Sequence, residues 1–149
     1  MSFKMKKLII GIGNELKSDD NVGNLILEKL REDIKKDNFY FIKGSTNPEN
    51  FIEHIKSINP NLIFFVDVAF FHGEIGDVKK FTLDEIKHVS ISTHNFPITV
   101  LQKFLPNSKI FLIGIKPKSL DFGETLTEEL KNKFNSITEK VKEIIFEIT

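Results

Sequence analysis

The chain has 149 residues, 40% of them hydrophobic, and its 21 basic side chains balance 21 acidic ones. This length suffices for one compact core, so we expect a single domain over residues 1–149, and the balanced charge argues against nucleic acid or an anionic membrane as a partner. The absence of cysteine excludes disulfide frameworks, thiol nucleophiles and cysteine-based metal sites. The first apolar run, Leu8 to Ile10, is too short for a signal peptide or a membrane span, which predicts a cytoplasmic protein.

Apolar strands alternate with amphipathic helices along the chain. A first strand over residues 7–10 leads through a loop to a helix that begins at Asp20. Further strands are predicted at residues 38–43, 61–68, 73–81, 88–92 and 109–115, and further helices at residues 47–58, 82–87, 98–105 and 125–148. This alternation predicts an α/β fold, a three-layer α/β/α sandwich around a mostly parallel sheet of about five strands.

Polar residues gather where the predicted strands end. In a parallel sheet the carboxyl ends of the strands share one edge, and ligands bind there. The residues that fall at this edge are Asn14, Asp19 and Asp20 after the first strand, residues 44–47 after the second, Asp67 at the end of the third, His94 after residues 88–92, and Lys116 after the last. We therefore expect these side chains to converge on one cleft.

Two common kinds of site fit this edge poorly. A dinucleotide site would explain the Gly-x-Gly turn, but the third glycine of that motif falls on Leu16, and two acids at the helix start would repel a phosphate. A phospho-acceptor receiver domain would explain the paired acids, Asp67 and Lys116. Receivers place their acids directly at the end of the first strand, however, whereas residues 11–18 intervene here.

A metal-facing set is the third interpretation. Asp20, Asp67 and His94 offer two carboxylates and one imidazole, a mixed set suited to a divalent first-row ion. Three protein ligands leave coordination positions open for chemistry. Asp67 follows mainly apolar residues, so its desolvation requires a partner. Asp19 is instead predicted to cap the first helix.

The motifs themselves resemble a known family. The stretches GIGN…SDDNVG, GSTNPEN, LIFFVD, STHNFPITVL and IFLIGIKP, in this order, resemble the hydrogenase maturation endopeptidases that trim nickel–iron hydrogenase large subunits. They are most similar to the branch that serves formate-linked or energy-converting hydrogenases. The resemblance implies that Asp20, Asp67 and His94 contact nickel and act in catalysis. It also implies that the nickel is carried by the substrate, a large-subunit precursor, whose C-terminal extension is removed after nickel insertion.

The same resemblance marks further residues of the cleft. Gly13 and Asn14, together with Gly44 and Thr46 in the second turn, match motifs that line it. Members of the family usually carry an acid and two glycines where this chain enters the second turn with Lys43, Gly44 and Ser45. This departure leaves the role of the second turn in cleavage open. Whether nickel or an aspartate activates the attacking water is also left open by the sequence.

Overall fold

A computed structural model describes residues 4–46, 51–91 and 98–148. The strands are β1 (Lys7–Ile12), β2 (Phe39–Ser45), β3 (Leu62–Phe70), β4 (Val78–Thr82), β5 (Ser90–Ile91) and β6 (Lys109–Ile115). The helices are α1 (Val22–Asp33), α2 (Ile52–Ile58), α3 (Leu83–Ile86), α4 (Ile98–Phe104) and α5 (Glu128–Glu147). A short 3-10 helix over Ser18–Asn21 leads directly into α1.

The strands form one sheet in the order β2-β1-β3-β6-β4, and β5 pairs with β3 beside this path. β1, β2, β3 and β6 run parallel, whereas β4 lies antiparallel at the edge next to β6. The mostly parallel sheet predicted from the sequence is therefore confirmed. Because the four parallel strands end at the same side, the loops that follow β1, β2, β3 and β6 come together there.

Alternate side chains of each central strand enter two separate cores. On β1, Ile9 packs with α1 and α5, whereas Leu8 and Ile10 pack with α2, α3 and α4 on the other face. This arrangement confirms the three-layer α/β/α sandwich, because helices cover both faces of the sheet. In the part of the chain that the structure describes, no helix is both long and apolar enough to cross a lipid bilayer.

Several predicted boundaries were wrong. The strand predicted over residues 88–92 begins only at Ser90, and Ser90–Ile91 pairs antiparallel with β3; residue 92 lies outside the described residues. The first helix begins with a 3-10 turn, and α1 itself starts at Val22 rather than at Asp20. The last helix starts at Glu128 rather than at Thr125, and Thr127, which precedes it, hydrogen-bonds to Asp19. The predicted helix start at residues 47–48 lies outside the described residues, as does Pro97, after which a helix was predicted.

Candidate active site

A glycine turn folds the chain back from the end of β1 toward the sheet edge. A Cβ atom on Gly13 would collide with the carbonyl oxygen of Asp20, so only glycine allows this close approach. The neighbouring residue, Asn14, donates its backbone N–H to Oδ2 of Asp20 at 3.1 Å. The sequence GIGN and the first aspartate of the predicted metal set therefore form one structural unit.

The Asp20 carboxylate is buried and only partly satisfied. Asp20 is 6% exposed, and within the described part of the chain its Oδ1 atom is shielded from solvent and has no hydrogen-bond partner. An unsatisfied buried acceptor costs about 1–3 kcal/mol, and more when the group is charged. Such an oxygen is suited to receive a cation or a hydrogen-bond donor that arrives with a ligand.

The second carboxylate, Asp67, lies near the end of β3. It is fully buried, and its Oδ1 accepts the backbone N–H of Val68 at 2.8 Å. The 3-10 helix that carries Asp20 lies against β3. Gly23 permits this packing, because a Cβ atom there would collide with the backbone carbonyl oxygens of Val66 and Ile12. The start of α1 thus brings the first loop onto the ends of β1 and β3, at the edge that holds Asp67.

The third predicted ligand, His94, lies outside the described residues, so its position stays a prediction. The last described residue before it, Ile91, pairs with Ala69 of β3, two positions from Asp67. Among residues 4–46, 51–91 and 98–148, no three carboxylate or imidazole side chains form a group that could hold a metal ion. A three-ligand metal site at this edge therefore needs a ligand from outside the described residues, such as the predicted His94, or one from the substrate.

A cleft of about 180 Å³ opens beside this loop. Its walls are formed by Gly13, Asn14, Glu15, Leu16, Asn24, Ser45 and Thr46. The structure thus brings three of the predicted cleft residues, Gly13, Asn14 and Thr46, to one surface. Gly44 is buried and does not line the cleft.

The two turns around the cleft are joined directly. The backbone N–H of Gly13 donates to the carbonyl oxygen of Ser45 at 2.8 Å. The register between β1 and β2 shifts here, so that Ile12 pairs with Ser45, and Ser45 adopts a φ of 52°. That left-handed conformation is uncommon for a serine and indicates a turn held by its surroundings. Lys43, the other departure from the family pattern, forms an ion pair with Glu28 of α1 at 3.0 Å.

Asn24 belongs to this site but was not predicted from the sequence. It is 2% exposed, and its side-chain Nδ2 donates to the carbonyl oxygen of Gly13 at 3.0 Å and to Oδ1 of Asn21 at 2.8 Å. A signal was present in the spacing, because Asn24 follows Asp20 by four residues and precedes the core residue Leu27 by three. These spacings place it on the buried face of α1.

The prediction that Asp19 caps the first helix was wrong. Its carboxylate is fully buried and accepts the backbone N–H groups of Lys118, Ser119 and Thr127 at 2.8–3.2 Å, as well as the hydroxyl group of Thr127. These groups belong to the loop between β6 and α5. Asp19 therefore accepts backbone hydrogen bonds from a distant loop and from the start of α5, and not from its own helix.

Comparison with known proteins agrees with this architecture. Residues 25–144 match the family model described as hydrogenase maturation protease. A Methanocaldococcus jannaschii protein with the provisional name hydrogenase maturation protease is 38% identical over 96% of this chain and 90% of its own length. The hydrogenase 3 maturation protease of Escherichia coli is 26% identical over 93% of this chain and 90% of its own length.

Solved structures show the same likeness. The NiFe hydrogenase maturation protease HycI from Thermococcus kodakarensis superposes with a TM-score of 0.81, at 30% identity over 97% of this chain and 94% of that protein. The endopeptidase HycI from E. coli superposes with a TM-score of 0.75, at 25% identity over 93% of this chain and 90% of that one. The resemblance seen in the motifs is thereby confirmed along nearly the whole chain. The chain belongs to the hydrogenase maturation protease family, and it is a protease.

Proposed function

We propose that this protease removes the C-terminal extension from the precursor of a nickel–iron hydrogenase large subunit after nickel has been inserted. The nickel is part of the substrate and serves as the recognition element. Asp20, Asp67 and His94 contact it, and the peptide next to the cut occupies the cleft beside Gly13 and Asn14. A cytoplasmic location follows from this proposal, because metal insertion and trimming act on the same newly made precursor.

The unsatisfied Oδ1 atom of Asp20 is the observation that carries the proposal. A buried carboxylate oxygen without a partner among the described residues is costly in the free enzyme. A divalent ion brought by the substrate would supply the missing positive charge. Nickel accepts both carboxylate and imidazole ligands, so the chemistry of the predicted set fits it.

The same arrangement explains how cleavage would follow from recognition. Asp67 is held rigidly by burial and by its bond to Val68, whereas Asp20 keeps one oxygen unused. Once the substrate's nickel is bound, the scissile peptide is fixed relative to both carboxylates, which lowers the entropic part of the barrier. The ion also polarises the carbonyl group of that peptide. An aspartate acting as the general base toward water is compatible with the same geometry.

The decisive experiment uses the purified protease and two forms of one large-subunit precursor, nickel-loaded and nickel-free. We expect the mass of the loaded precursor to fall by the mass of the C-terminal extension, while the nickel-free precursor stays intact. Equal trimming of both forms would refute recognition through nickel. Trimming of neither form would refute the proposed substrate.

The receiver domain is the alternative that the sequence left open, and the structure does not favour it. Strand β1 ends at Ile12, and both acids lie on the 3-10 helix beyond it, with Asp19 committed to a distant loop. Lys116 donates to the carbonyl oxygen of Gly73. Incubation with acetyl phosphate and magnesium should therefore leave the mass of the protein unchanged. A stoichiometric phosphoryl adduct on Asp67 would favour the receiver domain over the proposed nickel-recognising site.

A further inference from the structure

Two buried side-chain oxygens lack a hydrogen-bond partner in the described part of the chain, and they lie one helical turn apart. They are Oδ1 of Asp20 and Oδ1 of Asn24. The proposed nickel contact accounts for Asp20, but it leaves Asn24 unexplained. Native proteins seldom leave a buried amide oxygen unsatisfied, so this atom is a candidate contact for a ligand.

The orientation of the Asn24 amide is fixed by its neighbours. Its Nδ2 group faces the backbone carbonyl oxygen of Gly13 at 3.0 Å, and a carbonyl oxygen can only accept a hydrogen bond. A flipped amide would place two acceptors against each other at that point. The unsatisfied atom is therefore the carbonyl oxygen of Asn24, and the group that completes it must be a donor.

The composition of the cleft indicates what kind of donor enters. Asn24 shares the cleft walls with Gly13 and Asn14, with Ser45 and Thr46, and with Glu15 and Leu16. Apart from the Glu15 carboxylate and the apolar Leu16, these residues present backbone, amide and hydroxyl groups, which suit recognition of a peptide backbone. A volume of about 180 Å³ suits a short extended segment of chain.

We propose that Asn24 is a substrate-binding residue whose side-chain oxygen accepts a backbone N–H group of the precursor segment next to the scissile bond. This inference rests on the proposed function, because it assumes that the precursor occupies the cleft. Solvent does not reach the oxygen in the free enzyme, so the incoming peptide must shift the cleft wall slightly to reach it. The bond then satisfies an oxygen that has no hydrogen-bond partner among the described residues, which we expect to strengthen binding about tenfold.

Two substitutions of Asn24 separate this role from a structural one. Asn24→Leu removes both the Nδ2 donor that holds Gly13 and the oxygen that can accept. In Asn24→Asp the carboxyl group, when protonated, donates its O–H to the carbonyl oxygen of Gly13 and keeps its other oxygen as an acceptor. We expect Asn24→Leu to raise KM for the nickel-loaded precursor about tenfold, with kcat within about twofold of the wild type. Asn24→Asp should restore most of the lost affinity.

Thr138→Val is the matched control, because Thr138 is equally buried at 2% exposure but belongs to α5, where its hydroxyl donates to the carbonyl oxygen of Phe134. Its KM should equal that of the wild type. If Asn24→Leu does not fold, Asn24→Ala replaces it in the comparison. An unchanged KM in the apolar variant, or equal impairment of both Asn24 variants, would overturn the inference. Failure of the wild-type protein to trim the precursor would instead overturn the proposed function.

Discussion

The backbone N–H of Asn14 donates to Oδ2 of Asp20, and this bond fixes the carboxylate while leaving its second oxygen without a partner among the described residues. The glycine turn and the aspartate are thus coupled. The turn positions the acid, and the acid stabilises the turn. Any substitution at Asp20 has to be judged by what happens to each of its two oxygens.

Asp20→Asn should abolish trimming of the precursor while leaving the fold intact. The amide oxygen can still accept the N–H group of Asn14, and the amide nitrogen replaces the unsatisfied oxygen. Removal of the buried charge favours folding, whereas the amide nitrogen is itself buried without a partner among the described residues, so we expect a free energy of unfolding within about 1 kcal/mol of the wild type, measured by urea denaturation. Activity is followed by the mass of the large subunit. Wild-type trimming by this variant would contradict the role assigned to Asp20.

Asp19→Asn should be the more damaging change for the fold. Both oxygens of Asp19 accept hydrogen bonds, so an amide nitrogen on either side faces donors from the distant loop. We expect the free energy of unfolding to fall by about 2–4 kcal/mol. Thr127→Ser is a suitable control, because it keeps the hydroxyl group that bonds to Asp19. A stability for Asp19→Asn within experimental error of the wild type would show that this network contributes little.

Gly23→Ala should destabilise the protein by about 3 kcal/mol and lower trimming activity. The added methyl group would meet backbone oxygens of β1 and β3, which cannot move aside, so the start of α1 must shift away from the sheet edge. Gly73→Ala is the control, since the nearest atom there, at 2.7 Å, is the side-chain oxygen of Asp77, which can rotate away at the cost of one exposed hydrogen bond to the backbone N–H of Glu74. Thermal unfolding of both variants tests the difference, and equal melting temperatures would argue against tight packing at Gly23.

Lys7 should give the protein a pH dependence that a neutral substitute removes. Burial, assisted by the nearby charge of Lys36, lowers the pKa of Lys7 below its usual 10.5. Between this lowered pKa and 10.5 the unfolded chain binds more protons at Lys7 than the folded chain, so stability contributed by this group rises with pH in that window. The difference in unfolding free energy between wild type and Lys7→Met, measured from neutral to alkaline pH, isolates this contribution. A difference that does not vary with pH would contradict it.

The sequence predicted the sheet and its two helical layers because those features depend on local patterns. The apolar runs of β1, β3 and β6 identify strands that are covered on both faces. The strand predicted over residues 88–92 begins later than predicted, at Ser90, because residues 88–89 still belong to the turn that follows α3. Hydrophobic patterns predict the existence of a strand more reliably than they predict its first and last residues.

The candidate site was less predictable, because its contacts join residues that are far apart in the chain. Two adjacent aspartates look equivalent in the sequence, yet Asp19 and Asp20 face different surroundings. Asp19 is hydrogen-bonded to residues about a hundred positions later, and no local sequence pattern indicates such a partner. In the sequence, Asn24 resembles an ordinary polar helix residue. Only the structure shows how closely α1 meets the sheet, because a side chain at Gly23 would collide with backbone atoms of the sheet.

The bonds of Asp19 also bear on the order in which the protein assembles. Lys118, Ser119 and Thr127 follow Asp19 by 99, 100 and 108 positions, so the segment that carries Asp20 cannot be fixed until most of the chain has been made. Contacts of such separation form late in folding, after the cost of closing a long loop has been met. During synthesis the chain emerges from its amino end, so these amides emerge about a hundred residues after Asp19. A nascent or truncated chain that lacks residues 118–127 should therefore be without proteolytic activity, because the segment that carries Asp20 is not yet fixed.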